Sequence, residues 1–213
     1  MSVAALVNNK LDRMKRGIPF SIEVFYSLGS VSAVQKTMSR LTEAGRLVRV
    51  AKGIYSRPKP LASIPNIKVT AKAEDVVKTW AKTHRYKIVP QGIESAYRLG
   101  MQTQAPIKVI YWTNGASREF RIGNELITVK HVSESKLRWA NQPIGSFYRG
   151  LLSLSPEFTP ISSLQQATKR LGLSDLETKK FLDKLQTEPM LKEWKPKLIE
   201  LRSSLFECSG TLC

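Results

Sequence analysis

Cysteine and histidine are almost missing from this 213-residue chain: it has two of each, and Cys208 and Cys213 both fall in the last six residues. So few thiols exclude a disulfide framework and fit a reducing, cytosolic setting. His84 and His131 have no ligand spacing to each other or to the cysteines, so no metal site is expected. Acidic residues are scarce as well, 17 Asp+Glu against 34 Lys+Arg, for a formal net charge of +17. That balance excludes an acidic halophile-type protein and is a poor fit to a neutral metabolic enzyme. No apolar run approaches the roughly 18 residues of a membrane helix. The apolar start, Met1 to Val7, is too short for a secretory signal. A soluble, cytoplasmic protein with no membrane partner is expected. Internal repeats, low-complexity segments, a P-loop, a dinucleotide-binding glycine turn and a Gly-x-Ser-x-Gly elbow are all absent from the sequence.

The chain does have enough apolar residue, 42%, to bury a core, and an unevenly spread positive charge. Residues 1–70 carry +9, residues 71–140 carry +6 and residues 141–213 only +2. An excess of this size points to a polyanion, and its distribution points to the N-terminal third. Arg57 to Pro65 holds three prolines in nine residues, a composition that reads as a linker. A second break falls near Asn141–Pro143 or at Ser153–Pro160. These breaks divide the chain into three regions, 1–58, 66–140 and 141–207.

In the first region Val3, Val7, Leu11 and Met14 recur at helical spacing up to Gly17. Ser21 suits the N-cap of a short helix with Val24, Phe25 and Leu28, which Gly29 stops. Ser30 or Ser32 suits the cap of a third helix with Val34, Met38 and Leu41 as its apolar stripe. Two β-type runs then flank Lys52-Gly53, a turn pair suited to a hairpin. Three short helices and a hairpin are the order of a winged helix-turn-helix. With the stripe inward, Ser32, Lys36, Ser39, Arg40 and Glu43 face out, and Ala33 and Gln35 lie on the flanks. Small hydroxyls, an amide and long bases suit a helix entering a major groove about 12 Å wide. Gln35 can pair with adenine and Arg40 with guanine, while Ser32 and Ser39 suit phosphates or base edges. Glu43 falls outside the groove. The hairpin and the segment just after it add Arg49, Lys52, Arg57 and Lys59 as backbone contacts. The plain alternative is an ordinary solvated helix face, but the basic residues continue from helix into wing.

These residues carry a resemblance. Phe25-Tyr-Ser-Leu-Gly-Ser30, Ala33-Val34, Ser39-Arg-Leu41, Glu43-Ala-Gly45, Leu47-Val-Arg49 and Lys52-Gly-Ile-Tyr55 form a pattern similar to the N-terminal winged helix of AbiEi-like antitoxins and related AbiEi-type regulators. Val89 to Ala96, Leu99-Gly100, Thr103 to Pro106, Ile110 to Gly115 and Ser117-Arg118 resemble that family's second segment. The likeness covers roughly residues 1–140. It implies a bacterial type IV toxin–antitoxin system, in which such a protein pairs with a nucleotidyltransferase-type toxin. It also implies binding to double-stranded DNA at its own promoter, usually at inverted repeats, with repression as the result.

The middle region reads as α+β: a helix over Glu74–Ala81, a strand at Tyr86–Pro90, a short helix from Ile93 to Leu99, then three β-runs expected to form an antiparallel meander. Arg118, Arg121, Lys130, Lys136 and Arg138 could extend the basic surface there, and Trp112 and Trp139 suit a core. The tail reads as helices over Pro143–Leu154, Ser162–Leu171 and Ser174–Leu185, the last with a capping box, and a final stripe of Trp194, Leu198, Leu201 and Leu205. Its near-neutral charge favours an αα-hairpin packed on the meander over a second helix-turn-helix. The fold class is therefore α+β: an N-terminal winged helix, a small α/β domain and a helical tail. The leading function is a sequence-specific DNA-binding regulator, antitoxin-like, with no catalytic residues and no cofactor. One alternative is a metal-dependent nuclease using Glu94, Glu119 or Glu125, although these lack a close acid-x-Lys arrangement. Another is a basic module binding RNA or an acidic protein.

Overall fold

A computed structural model describes residues 1–61, 64–69 and 71–206. Cys208 and Cys213 lie outside the described residues, as do Ala62 and Ser63 of the expected linker. The elements, in chain order, begin with α1 (Val3–Asp12), β1 (Pro19–Ser21), a 3-10 helix (Ile22–Leu28), α2 (Val31–Glu43), β2 (Val48–Ala51) and β3 (Ile54–Ser56). They continue with β4 (Lys59–Leu61), β5 (Ile64–Val69), α3 (Ala73–Thr83), β6 (Ile88–Pro90), α4 (Gly92–Leu99), β7 (Val109–Thr113), β8 (Arg118–Ile122) and β9 (Glu125–His131). Helices complete the chain: α5 (Pro143–Leu151), α6 (Ile161–Arg170), α7 (Asp175–Gln186) and α8 (Lys195–Phe206), with 3-10 turns at Glu134–Leu137 and Pro189–Trp194. The fold is mixed α+β with small antiparallel sheets.

Two compact units cut across the expected boundaries: residues 1–87 with 117–129, and residues 88–116 with 130–213. In the first, serine caps start the helical segments, at Ser2 as well as at the expected Ser21 and Ser30. The Ser2 hydroxyl accepts from the Ala5 amide at 3.3 Å, and Ser30 from Ala33 at 3.3 Å. Ser21 caps the second segment by accepting from the Glu23 amide at 3.2 Å, but that segment is a 3-10 helix rather than an α-helix. Seven residues held between a strand and Gly29 are too short a run for propagated i→i+4 bonding, and the tighter turn suits them. At Gly29 an added Cβ would meet the Val3 side chain at 2.5 Å, so glycine lets α1 approach the turn before α2.

Three strands rather than a simple hairpin close this unit's core. β3 lies between β1 and β2, pairing antiparallel with both, so that Phe20 and Arg49 each stand opposite Tyr55. Pro19 opens β1 on the sheet edge, where a missing N–H costs nothing. Gly53, at φ +74°, makes the turn between β2 and β3. Val7 and Leu11 of α1, Val34, Met38 and Leu41 of α2, Phe20, Phe25, Leu47 and Tyr55 form one buried cluster. Burial of such side chains contributes about 1.5–3 kcal/mol each. α3 lies against β1, where Thr79 donates to the Pro19 carbonyl at 3.5 Å, and β8 pairs with β9 in this unit.

The Pro-containing stretch expected as a linker is instead a ribbon, β4 pairing antiparallel with β5. Both strands of a two-stranded ribbon are edge strands, where proline is tolerated better than in a central strand.

In the second unit β7 pairs with β6, with Ile88 opposite Thr113 and Pro90 opposite Tyr111. The expected meander, each run pairing with the next, is corrected: β8 pairs with β9, but β7 pairs with β6 rather than with β8. α4 joins the tail rather than the expected middle domain: Ala96, Leu99 and Met101 share one core with Phe147, Leu151, Leu164, Leu182, Leu185, Leu198 and Leu201. The tail helices thus have their own core instead of resting on a meander. The capping box of α7 is formed as its sequence suggests: the Ser174 hydroxyl accepts from the Glu177 amide and the Glu177 carboxylate accepts from the Ser174 amide. Trp112 is buried, and Trp139, at φ +52°, stacks edge-to-face on Tyr148 at 5.2 Å. Among the described residues no helix is long and apolar enough to cross a membrane.

Candidate nucleic-acid interface

The apolar stripe of α2 fixes which side chains are free. Val34, Met38 and Leu41 are buried, so Ser32, Gln35, Lys36, Ser39 and Arg40 are all exposed. Gln35 and Ser39, one turn apart, line a cleft of about 550 Å³ with Arg49 and Lys52 of the β2–β3 hairpin. Ser32, Lys36 and Arg40 form the next row, at the same i, i+4 spacing. The Ser39 hydroxyl donates to the Glu43 carboxylate at 3.1 Å, which leaves its lone pairs as acceptors.

The cations divide into two kinds. Lys36, Arg40, Arg49 and Lys52 are exposed and make no ion pair with the described residues. Arg46 and Arg57 are committed internally. Arg46 donates to Asn8 at 2.7 Å and to Asp12 at 3.0 Å. Arg57 donates to the carbonyls of Leu11 at 2.6 Å, Met14 at 2.8 Å and Asp12 at 3.1 Å, and pairs with the Asp12 carboxylate at 3.5 Å. These carbonyls lie at and just past the end of α1, where the Leu11 carbonyl also accepts from the Met14 amide at 2.9 Å, and a cation there meets the negative end of the helix dipole. Arg57, expected as a phosphate contact, thus has its guanidinium engaged within the unit, its side chain 14% exposed. Lys59 is exposed, on β4, and does not line the cleft.

The far wall of the cleft comes from residues that hairpin reasoning does not reach. Thr83 and His84 end α3, and Arg118 begins β8. Trp80, buried in α3, organises them: Phe120 meets it edge-on at 5.4 Å, and the Arg118 guanidinium lies 5.7 Å from its ring centroid. His84 stacks on Tyr86 at 5.5 Å, and its Nδ1 lies 2.8 Å from the Trp80 carbonyl, which assigns the proton to Nδ1. Tyr26 and Glu23 of the 3-10 helix also line it, Glu23 being its one carboxylate among the described residues. The basic residues around Arg118 are the only sequence signal for this wall. Among the described residues no group of three or more His, Cys, Asp or Glu side chains is placed to hold a metal ion.

The first unit carries 19 Lys+Arg against 7 Asp+Glu, so most of the chain's net charge lies on it. Arg49, Lys52 and Arg118 make the cleft beside this polar helix face positive.

Comparison with known proteins places the chain in one family. Residues 6–145 match the model of a family of unknown function (DUF6088), and the protein belongs to it. The match takes in both walls of the cleft. No protein of curated function matches. Among solved structures, the chain is similar to the RV2827C protein from Mycobacterium tuberculosis, at 14% identity and a TM-score of 0.41, over 98% of this chain and 77% of that one. A likeness that low carries no argument about this protein.

Proposed function

We propose that the first unit is a winged helix-turn-helix that binds duplex DNA, with α2 as the recognition helix and the β2–β3 hairpin as the wing. The observation that carries this reading is the division of the cations. Arg46 and Arg57 hold α1, whereas Lys36, Arg40, Arg49 and Lys52 make no ion pair among the described residues and stand beside small polar side chains. Like charges on one surface repel one another, and a polyanion relieves that repulsion. In this reading Gln35 and Arg40 read base edges in the major groove. Ser32, Lys36 and Ser39 add phosphate or base-edge contacts, and Arg49, Lys52 and Lys59 contact the backbone. Arg57 acts only by fastening the domain together.

The regulatory role is the second layer of the proposal. The resemblance of residues 1–140 to AbiEi-like antitoxins supports an autorepressor that blocks polymerase at its own promoter and works opposite a nucleotidyltransferase-type toxin. No catalytic step is assigned to the protein.

A gel-shift titration with the DNA upstream of its own gene tests the first layer. The Lys36→Ala, Arg40→Ala double variant is expected to lose operator binding while keeping the wild-type melting curve, since both side chains are exposed. Unchanged operator affinity would overturn the assignment of α2. Co-expression with a neighbouring toxin-like gene tests the second layer. Relief of growth arrest supports antitoxin action, and persistent arrest leaves a repressor alone.

A further inference from the structure

The DNA-binding reading stops at the hairpin, but the cleft does not. Arg118 reaches it from β8, some sixty residues further along the chain, and joins Arg49 and Lys52. Three cations then line a cleft in which Glu23 is the one carboxylate among the described residues. Arg118 forms no ion pair with the described residues, and its residue is exposed. Its guanidinium is nonetheless held, because one face lies over the indole of Trp80 at 5.7 Å. Trp80 itself is fixed by burial and by its edge-on contact with Phe120. A guanidinium parked on an aromatic face keeps its N–H edge free, loses less side-chain freedom on binding, and suits bidentate contact with a phosphate.

We infer that Arg118 is a phosphate-binding residue of the DNA interface, gripping the sugar-phosphate backbone across the cleft from Gln35, Ser39 and the hairpin. The inference rests on the DNA-binding reading and extends it: the DNA-binding module is the whole first unit, with α3 and β8 included, rather than residues 1–58. His84 is the neighbouring element of the wall. Its Nδ1–H is spent on the Trp80 carbonyl, so it shapes the cleft instead of supplying that donor. A phosphate contact of this kind positions the protein without reading sequence. It therefore adds affinity equally to operator and non-operator DNA.

The test is a salt titration of duplex binding by fluorescence anisotropy, using wild type, Arg118→Ala, Arg118→Lys and the Lys36→Ala, Arg40→Ala double variant in the full-length chain. Arg118→Ala is expected to bind on the order of tenfold more weakly at ~0.1 M salt. The slope of log affinity against log salt should become shallower by about 0.9, one phosphate's worth. The ratio of operator to random-sequence affinity should stay unchanged. Arg118→Lys keeps the charge, so it should retain the slope and recover part of the affinity. Melting curves identify loss of fold, and if Arg118→Ala melts early, the Arg118→Lys slope and affinity decide alone. If the double variant loses binding while Arg118→Ala matches wild type in affinity and slope, the inference fails and the DNA-binding reading stands. If wild type does not bind duplex DNA, or prefers structured RNA in competition, both fail.

Discussion

The Arg57 guanidinium donates to the main-chain carbonyl of Leu11 at 2.6 Å, joining the chain just after the hairpin to the last turn of α1. With the bonds to Asp12 and Met14, one side chain gathers three carbonyls at and just past the helix end. Arg57→Ala is therefore expected to lower stability by about 1–3 kcal/mol, since its bonds are charge-assisted and partly buried. Urea denaturation followed by circular dichroism measures this. The folded fraction should bind DNA far better than the Lys36→Ala, Arg40→Ala variant does. A stable Arg57→Ala protein with no DNA binding would return Arg57 to the interface.

Gly29 offers a second test of the first unit. A methyl group there meets the branched Val3 side chain at 2.5 Å, so Gly29→Ala must push α1 away from the turn before α2. The expected cost is about 1–3 kcal/mol from overpacking. Gly29→Ala, Val3→Ala should recover part of the loss in thermal melts, and an unaffected single variant would show that the helices yield freely.

Arg149 is a liability inside the second unit. Its residue is 1% exposed, its Nε and Nη1 have no hydrogen-bond partner among the described residues, and Nη2 meets only Ser146 at 3.3 Å. Burial pushes its pKa down to about 10. The unfolded chain thus holds this proton more tightly than the folded one, so the burden is full at neutral pH and eases only as pH rises above about 10. Arg149→Met keeps the stem's volume and removes the buried charge, and is expected to raise stability by roughly 1–3 kcal/mol at pH 7. A lower melting temperature for this variant would mean that Arg149 has an unseen partner.

The Ser174–Glu177 box gives a pH dependence of known sign. The Ser174 hydroxyl and amide donate to the Glu177 carboxylate at 2.7 and 2.9 Å, and these bonds hold its pKa below the ordinary carboxylate range. A depressed carboxyl stabilises the fold above its unfolded pKa and loses that contribution as pH falls through the folded value. The α7 N-terminus should fray on acidification, seen as faster amide exchange at Glu177 after correction for intrinsic rates. Glu177→Gln preserves the box without the charge and should remove the acid-side change.

How much of this is legible in the sequence depends on how local each cause is. Caps and stripes are local: Ser30, the Val34–Met38–Leu41 stripe, Gly53 and the Ser174–Glu177 box all appear where residue chemistry places them. β1 escapes sequence reasoning because three residues opening on proline carry no alternation to detect, and only β3 gives them a partner. The ribbon of β4 and β5 is hidden by prolines that an edge tolerates. The exposed row on α2 follows from its stripe. The role of Arg57 does not, because the carbonyls it serves lie 43 to 46 residues away in sequence. The Arg118–Trp80 wall is likewise a long-range product of packing. The uneven charge points to the end of the chain that holds the cleft, without separating cations committed to α1 from those left free.

The central claim is that α2 and the hairpin meet DNA, and backbone chemical-shift mapping of the full-length protein with an operator duplex tests it most directly. The largest changes are predicted at Ser32, Gln35, Lys36, Ser39, Arg40, Arg49 and Lys52, with Arg118 moving alongside them. Changes confined to the second unit, or none at saturating duplex, would contradict it.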